Sequence, residues 1–234
     1  MLFIREFVAN LEDRYGWVRC EDADDERDFT HLSTEPMAGW SLLISLVTTV
    51  DNKDQYTRLH SEEVLYYAEQ IALHLEIPFP EQQSLSIAAL LHDVGKIGIP
   101  EHILKANHPL TLDERTIIRN HPTIGAALVE ILGGQPDVAT AIRHHHEAWD
   151  GSGYPDGLVG EDIPYFARIL AVADAFSAMT SDRPYQKGKR HEEAKAILLS
   201  GAGQQWDPVC VQALLHCLAD ESGSLPAPSR AKAA

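Results

Sequence analysis

One run constrains this chain more than any other: His144-His145-His146-Glu147-Ala148-Trp149-Asp150-Gly151-Ser152-Gly153-Tyr154-Pro155. Three adjacent imidazoles are poor material for an ordinary helix core. They lead into a Gly-rich, Pro-closed loop that can bend over whatever the imidazoles hold. A second cluster stands upstream in Leu91-His92-Asp93-Val94-Gly95-Lys96, where an apolar helix ends on a His-Asp pair, then a glycine, then a lysine. Imidazole and carboxylate together are ligands for Zn, Fe, Mn or Ni. A lysine one turn past a metal ligand is a natural partner for an anionic substrate. On these residues alone the chain reads as a metal-dependent hydrolase of phosphate esters.

Composition narrows the partners. The 234 residues suffice for one domain, or one domain and a small appendage, and 44% hydrophobic content can build a full core. The formal charge of −16 argues against a nucleic-acid polymer, whose phosphates need clustered Lys and Arg. A small anionic ligand stays compatible with that charge if bound metal ions supply local positive charge. Cys20, Cys210 and Cys217 form no disulfide framework and lie outside both clusters, so no covalent nucleophile is read. Cys210 and Cys217 share a face of an expected helix, where they pack as small hydrophobes. The longest apolar stretch, residues 40–50, is too short and too polar to span a bilayer, and no secretion signal is read at the N-terminus. The chain is expected to be cytoplasmic.

The periodicity is helical from Met37 onward. Leu42, Leu43, Leu46 and Val50 recur at spacings of three and four, and Val64, Tyr67, Ala68, Ile71 and Leu75 do so after His60. Residues 85–92 predict a buried helix. Thr111-Leu112-Asp113-Glu114 is a capping box that opens another. Pro122 ends or restarts a helix just after His121. Residues 137–147 predict a helix carrying all three adjacent histidines, residues 148–163 a loop, and residues 164–181 a helix that Pro164 can start. Two more helices are expected near 191–200 and 207–219. Residues 1–35 contain an acidic stretch and a segment around Tyr15-Gly16-Trp17-Val18 that fits a short strand; no role is assigned to them. The Ser/Pro/Ala-rich residues 222–234 are expected to be a disordered tail. The predicted fold is all-α, a helical bundle with metal ligands on facing helices.

The ordered motifs resemble the HD-GYP family, a branch of the HD-domain metal phosphohydrolases. The likeness rests on His92-Asp93 with Lys96, on His145-His146-Glu147, and on Asp150-Gly151-Ser152-Gly153-Tyr154-Pro155. It continues through Gly157-Leu158, Gly160, Ile163-Pro164, Ala167-Arg168-Ile169 and Ala173-Asp174 to Thr180-Ser181-Asp182-Arg183-Pro184-Tyr185. It covers roughly residues 50–200, within an expected catalytic domain of residues 36–221. The resemblance implies an HD-domain helical bundle with a dinuclear metal site. It implies the ligands His60, His92, Asp93, His121, His145, His146 and Asp174, too many for one ion. Asp93 is the implied bridge, with His60, His92 and Asp174 on one ion and His121, His145 and His146 on the other. Two divalent transition-metal ions are implied, iron or manganese first, with Zn, Ni or Co also compatible. A third ion is not expected, because Tyr56 stands one turn before His60, where some family members have a carboxylate. Asp54 lies on another face.

Lone histidines on amphipathic helices are ordinarily surface or hydrogen-bonded residues, and His74, His102, His108, His191 and His216 are read that way. His144 points about 100° from His145 on a helix and is read as a supporting or exposed residue. Buried Asp174 would need a partner or a metal.

The resemblance further implies a cyclic di-GMP phosphodiesterase in bacterial second-messenger signalling, giving the linear dinucleotide pGpG and, in some members, GMP. Asp93 and Lys96 would be catalytic, Lys96 by neutralising transition-state charge. Lys96, Gly151, Gly153, Tyr154 and Arg183 would touch substrate. Ser177 and Gln186 depart from the family, at positions where an acidic and a basic residue are common, and they bear on base recognition. Two alternatives stay open: a phosphohydrolase of another cyclic dinucleotide or nucleotide, and a non-catalytic cyclic-dinucleotide receptor. A signalling-protein partner or a homodimer is compatible with either.

Overall fold

The structure is a computed structural model that describes residue 50, residues 60–182 and residues 187–221. The expectations for residues 1–35, Leu42, Leu43, Leu46, Asp54, Tyr56, Arg183, Gln186 and the tail from Ser222 lie outside the described residues. Nine α-helices are described: α1 His60–His74, α2 Phe79–Leu91, α3 Glu101–Leu104, α4 Leu112–Ile118, α5 His121–Ile131, α6 Pro136–His144, α7 Tyr165–Thr180, α8 His191–Gly201 and α9 Pro208–Glu221. Two 3-10 turns join them, Val94–Gly98 and Gly160–Asp162. Among the described residues there is no strand, only an isolated bridge between Ala202 and Trp206. No described helix is long and apolar enough to cross a membrane.

Helix α7 is the axis of the bundle. It packs on α1, α6, α8, α9 and α2. Neighbours on so many sides require apolar residues nearly all round. Ala167, Ile169, Leu170, Val172, Ala173 and Phe176 are all fully buried. Val64, Ala68 and Ile71 of α1 bury at the predicted spacing, whereas Tyr67 is half-buried and Leu75 falls one residue past the helix. Cys210 is buried on α9, and Cys217, partly exposed, sets its Sγ 3.3 Å from the Gln70 carbonyl.

Local chemistry accounts for the helix ends. At α4 the Thr111 side chain accepts from the Glu114 amide while the Glu114 carboxylate accepts from the Thr111 amide, the capping box that the sequence predicts. Helix α5 restarts at His121 with Pro122 in its first turn, where a missing N–H costs nothing. The expected helix over 137–147 is shorter: α6 stops at His144, His145 is its C-cap, and His146 lies beyond. Its continuation is pre-empted by the loop. The Glu147 amide turns back to the His144 carbonyl, and the His146 carbonyl accepts from the Tyr154 amide.

Gly95 brings the first 3-10 turn against α5. A Cβ at Gly95 would lie 1.9 Å from the His121 carbonyl oxygen and 2.5 Å from the Gly125 nitrogen, so no side chain fits. The last helix is tied to the axis by charge. Arg168 of α7 donates to the buried Asp207 carboxylate at 2.9 Å, and Asp207 also accepts from the Val209 amide at the start of α9. Arg168→Ala leaves a buried carboxylate without its counter-charge, which costs about 3–5 kcal/mol. Urea unfolding of that variant should show a loss of this size, with helical circular dichroism retained in water.

Candidate metal centre

The candidate ligands converge from helix ends. His60 opens α1, His92 and Asp93 follow α2, His121 opens α5, His145 and His146 follow α6, and Asp174 lies mid-way along α7. His60, His92 and Asp174 form one group whose ligand atoms lie within 4.8 Å of one another, and His121, His145 and His146 form a second. Asp93 touches both. Its Oδ2 lies 3.4 Å from His92 Nε2 and its Oδ1 3.3 Å from His121 Nε2. Lys96, one turn on, places Nζ 2.7 Å from Asp93 Oδ2.

Backbone carbonyls orient three of these rings. His92 Nδ1 meets the Ala89 carbonyl at 2.7 Å, His121 Nδ1 the Ile118 carbonyl at 2.8 Å, and His145 Nδ1 the Ile142 carbonyl at 2.6 Å. Each bond reaches three residues back. A carbonyl can only accept, so the proton sits on Nδ1 and Nε2 offers its lone pair to the centre. The Nε2 atoms of His92, His121 and His145 are buried with no hydrogen-bond partner, the contacts of the first two to Asp93 lacking hydrogen-bond alignment. Buried nitrogens left this way are costly, and such exceptions concentrate where an ion binds. The donor set is that of a transition metal. By geometry and by chemistry the residues fit metal ions.

The electrostatics separate the two groups. Burial pushes His145 well below the ordinary imidazole range and His146 down to about 4, with neighbouring imidazoles adding to the effect. Both are therefore neutral, as metal ligation requires. Burial would lower His92 as well, but Asp93 beside it wins and raises it to about 9. A cation held there takes the place of that proton. Burial alone would raise Asp93 and Asp174. Lys96 and His92 hold Asp93 well below the usual carboxylate range, and His60 does the same for Asp174.

The loop over residues 148–163 is fixed at both ends. The Trp149 and Asp150 amides donate to the Gln205 and Gln204 carbonyls between α8 and α9. The buried Glu147 carboxylate accepts from the amides of Asp156, Gly157 and Leu158. A Cβ on Gly153 would fall 2.1 Å from the Ala148 nitrogen, so this glycine lets the loop lie on its own chain. Gly151 takes a positive φ of 82° beside Val159. Both glycines thus have a reason within the loop. The Tyr154 ring lies 5.0 Å from the His146 ring, tilted 30° to it. Burial raises its hydroxyl above the ordinary phenol range.

Three participants have no sequence signal of their own. Arg119 holds its guanidinium 4.9 Å from the centre of the Tyr154 ring, at the edge of the second group. Glu63 of α1 reaches Ser177 of α7. Asp156 accepts from Arg143 and pairs at 2.8 Å with buried His144, which is a supporting residue of the loop. Arg119 follows a helix end and Glu63 follows Glu62, positions where charge is ordinarily solvated.

The HD domain family model matches residues 45–210. The cyclic di-GMP phosphodiesterase response regulator RpfG of Xanthomonas campestris pv. campestris is 42% identical over 180 residues, 74% of this chain and 47% of that protein. The 3'3'-cGAMP-specific phosphodiesterase 3 of Vibrio cholerae is 36% identical over 180 residues, 76% of this chain and 39% of that one. Among solved structures, the cyclic GMP-AMP specific phosphodiesterase V-cGAP3 of V. cholerae has a similar fold, with a TM-score of 0.61 at 24% identity over 77% of this chain and 49% of that one. The chain belongs to the HD-domain family, in the HD-GYP branch that its sequence resembles. It spans about half the length of the curated relatives that it matches, or less.

Glu147→Ala would leave three loop amides without their acceptor. A hydrogen bond to a charged group contributes about 1.5–3 kcal/mol. Amide hydrogen exchange at residues 156–158 should quicken by at least tenfold, roughly 1.4 kcal/mol, while exchange in α7 stays at the parent's rate.

Proposed function

We propose that this chain is a metal-dependent phosphodiesterase that opens cyclic di-GMP to the linear dinucleotide pGpG, with further hydrolysis to GMP as a second step. The observation that carries the reading is Asp93, set with Lys96 against it between two groups of imidazoles, three of whose Nε2 atoms are buried without a partner. His60, His92, Asp93 and Asp174 would hold one divalent transition-metal ion, and Asp93, His121, His145 and His146 the other, iron or manganese by preference. When bound, a pair of such ions activates water and clamps the charge of a phosphoryl group in displacement.

The chain's own residues do the rest. Asp93 keeps the two groups in register. Lys96 lies where charge develops on the phosphate and neutralises it. Tyr154 offers an aromatic face for a base beside His146, and the pinned loop keeps that face in place. Arg119, 4.9 Å from the centre of the same ring, meets the anionic substrate at the rim. Arg183 takes a phosphate or guanine edge in the same reading. Gly151 and Gly153 shape the loop that presents Tyr154. The catalytic unit is residues 36–221, and the reaction belongs in the cytoplasm, in second-messenger signalling.

A second reading has support in Ser177, which stands where an acidic residue is common, and in the 36% identity to a relative specific for 3'3'-cGAMP. In that reading the same centre opens a mixed cyclic dinucleotide. Incubating the metal-loaded chain with cyclic di-GMP, 3'3'-cGAMP and cyclic di-AMP, then separating products by chromatography, ranks the two. Absence of any linear product from all three, with two ions bound, would sink both and leave a receptor.

Asp93→Ala should abolish hydrolysis and weaken both ions together, with the helical spectrum unchanged. Two ions still bound in that variant would defeat the bridging role. Lys96→Ala should keep its metal and lose about 10²–10³ in kcat, the usual cost of one electrostatic donor. Arg119→Ala should raise KM about tenfold, the equivalent of roughly 1.4 kcal/mol, at unchanged metal content. An unchanged KM removes Arg119 from the substrate path.

A further inference from the structure

His60 differs from the other oriented rings. His92, His121 and His145 anchor Nδ1 on a backbone carbonyl three residues back. His60 Nδ1 meets a side chain instead, the Ser177 hydroxyl on α7 at 2.8 Å and 117 residues away. Ser177 is fully buried, and its hydroxyl donates to Glu63 Oε2 at 2.7 Å. Ser181 donates to the same carboxylate oxygen. The directions are forced in turn. A carboxylate only accepts, so the single Ser177 proton points to Glu63. The Ser177 oxygen therefore accepts from His60, whose proton sits on Nδ1. The His60 Nε2 lone pair then faces Asp174 Oδ1 at 3.0 Å. In the neutral ring a lone pair and a carboxylate oxygen at that distance repel, and a cation between them, a proton or a metal ion, turns the contact into an attraction.

We propose that Ser177 and Glu63 are positioning residues that fix the His60 tautomer and aim Nε2 at the ion shared with His92 and Asp174. The proposal rests on the metal-centre reading above. It gives Ser177, a departure from the family pattern, a task that its small hydroxyl suits. It can accept from an imidazole and donate to a carboxylate at once, in a space closed on every side. Glu63 lies one turn past His60 on α1, so the relay also ties α1 to α7 at the centre. Partners that orient a metal-bound imidazole typically contribute 10–100-fold to metal affinity.

The test uses the full chain and Zn(II). Calorimetry with chelator competition measures the affinity of each ion, and long-range proton–nitrogen spectra of the imidazoles read the His60 tautomer. In the parent the His60 proton should reside on Nδ1. In Ser177→Ala one ion should weaken about 10–100-fold and the other should change little, with the Nδ1 proton no longer protected from exchange. Glu63→Gln keeps an acceptor for Ser177 and should fall between, which separates orientation from simple packing. Unchanged affinities in Ser177→Ala, or a parent His60 proton on Nε2, overturn the relay. If Ser177→Ala does not fold, Glu63→Gln decides: parental affinities and tautomer in that variant overturn it. If the parent takes up no Zn(II), the metal reading fails, and the relay then stands or falls on the tautomer alone.

Discussion

The Asp93 carboxylate is the contact on which the rest of the centre depends. It is nearly buried, it touches one imidazole of each group, and Lys96 lies against it. Burying a carboxylate is expensive unless charge compensates it. Here compensation comes from three directions, from Lys96, His92 and His121. That compensation reaches back into the fold. Asp93 caps a 3-10 turn whose glycine lies on the α5 backbone, and α5 starts with His121. Displacing the carboxylate would release the lysine and both imidazoles together.

Much of this was legible in the sequence, for identifiable reasons. Helix α4 announced itself through a capping box, a four-residue signal that is local and self-contained. Helix α7 could be read from Pro164 at its start and the apolar residues 169–172 before Asp174, and the candidate ligands from paired motifs in order. The end of α6 was not legible. The His144-His145-His146 run has no breaker, and what stops the helix is the His146 carbonyl bonding to Tyr154, a residue in the loop. Glu63 and Arg119 were invisible for the same kind of reason. Each acquires its task from a partner distant in sequence, Ser177 and Tyr154 respectively, and nothing in the local pattern marks that meeting.

Ser177 shows how a departure from a family pattern can be a change of design and not a loss. Read along the chain, it is the absence of an acidic group. In the folded protein an acidic group arrives from the other side, on α1, and the serine becomes the link between that carboxylate and an imidazole. Side-chain identity at one position does not report the chemistry of a site when neighbouring helices supply the complement.

The anchoring of His92, His121 and His145 has a further consequence. Ala89, Ile118 and Ile142 all lie in the last turns of their helices, α2, α4 and α6. Three helix C-termini are thus directed at one small volume, and each carries a partial negative charge there. They add to the charge of Asp93 and Asp174, while Lys96 and the first turns of α1 and α5, which carry His60 and His121, act against it. The carbonyls that orient the rings therefore also favour positive charge beside them, so one set of backbone groups serves both geometry and charge.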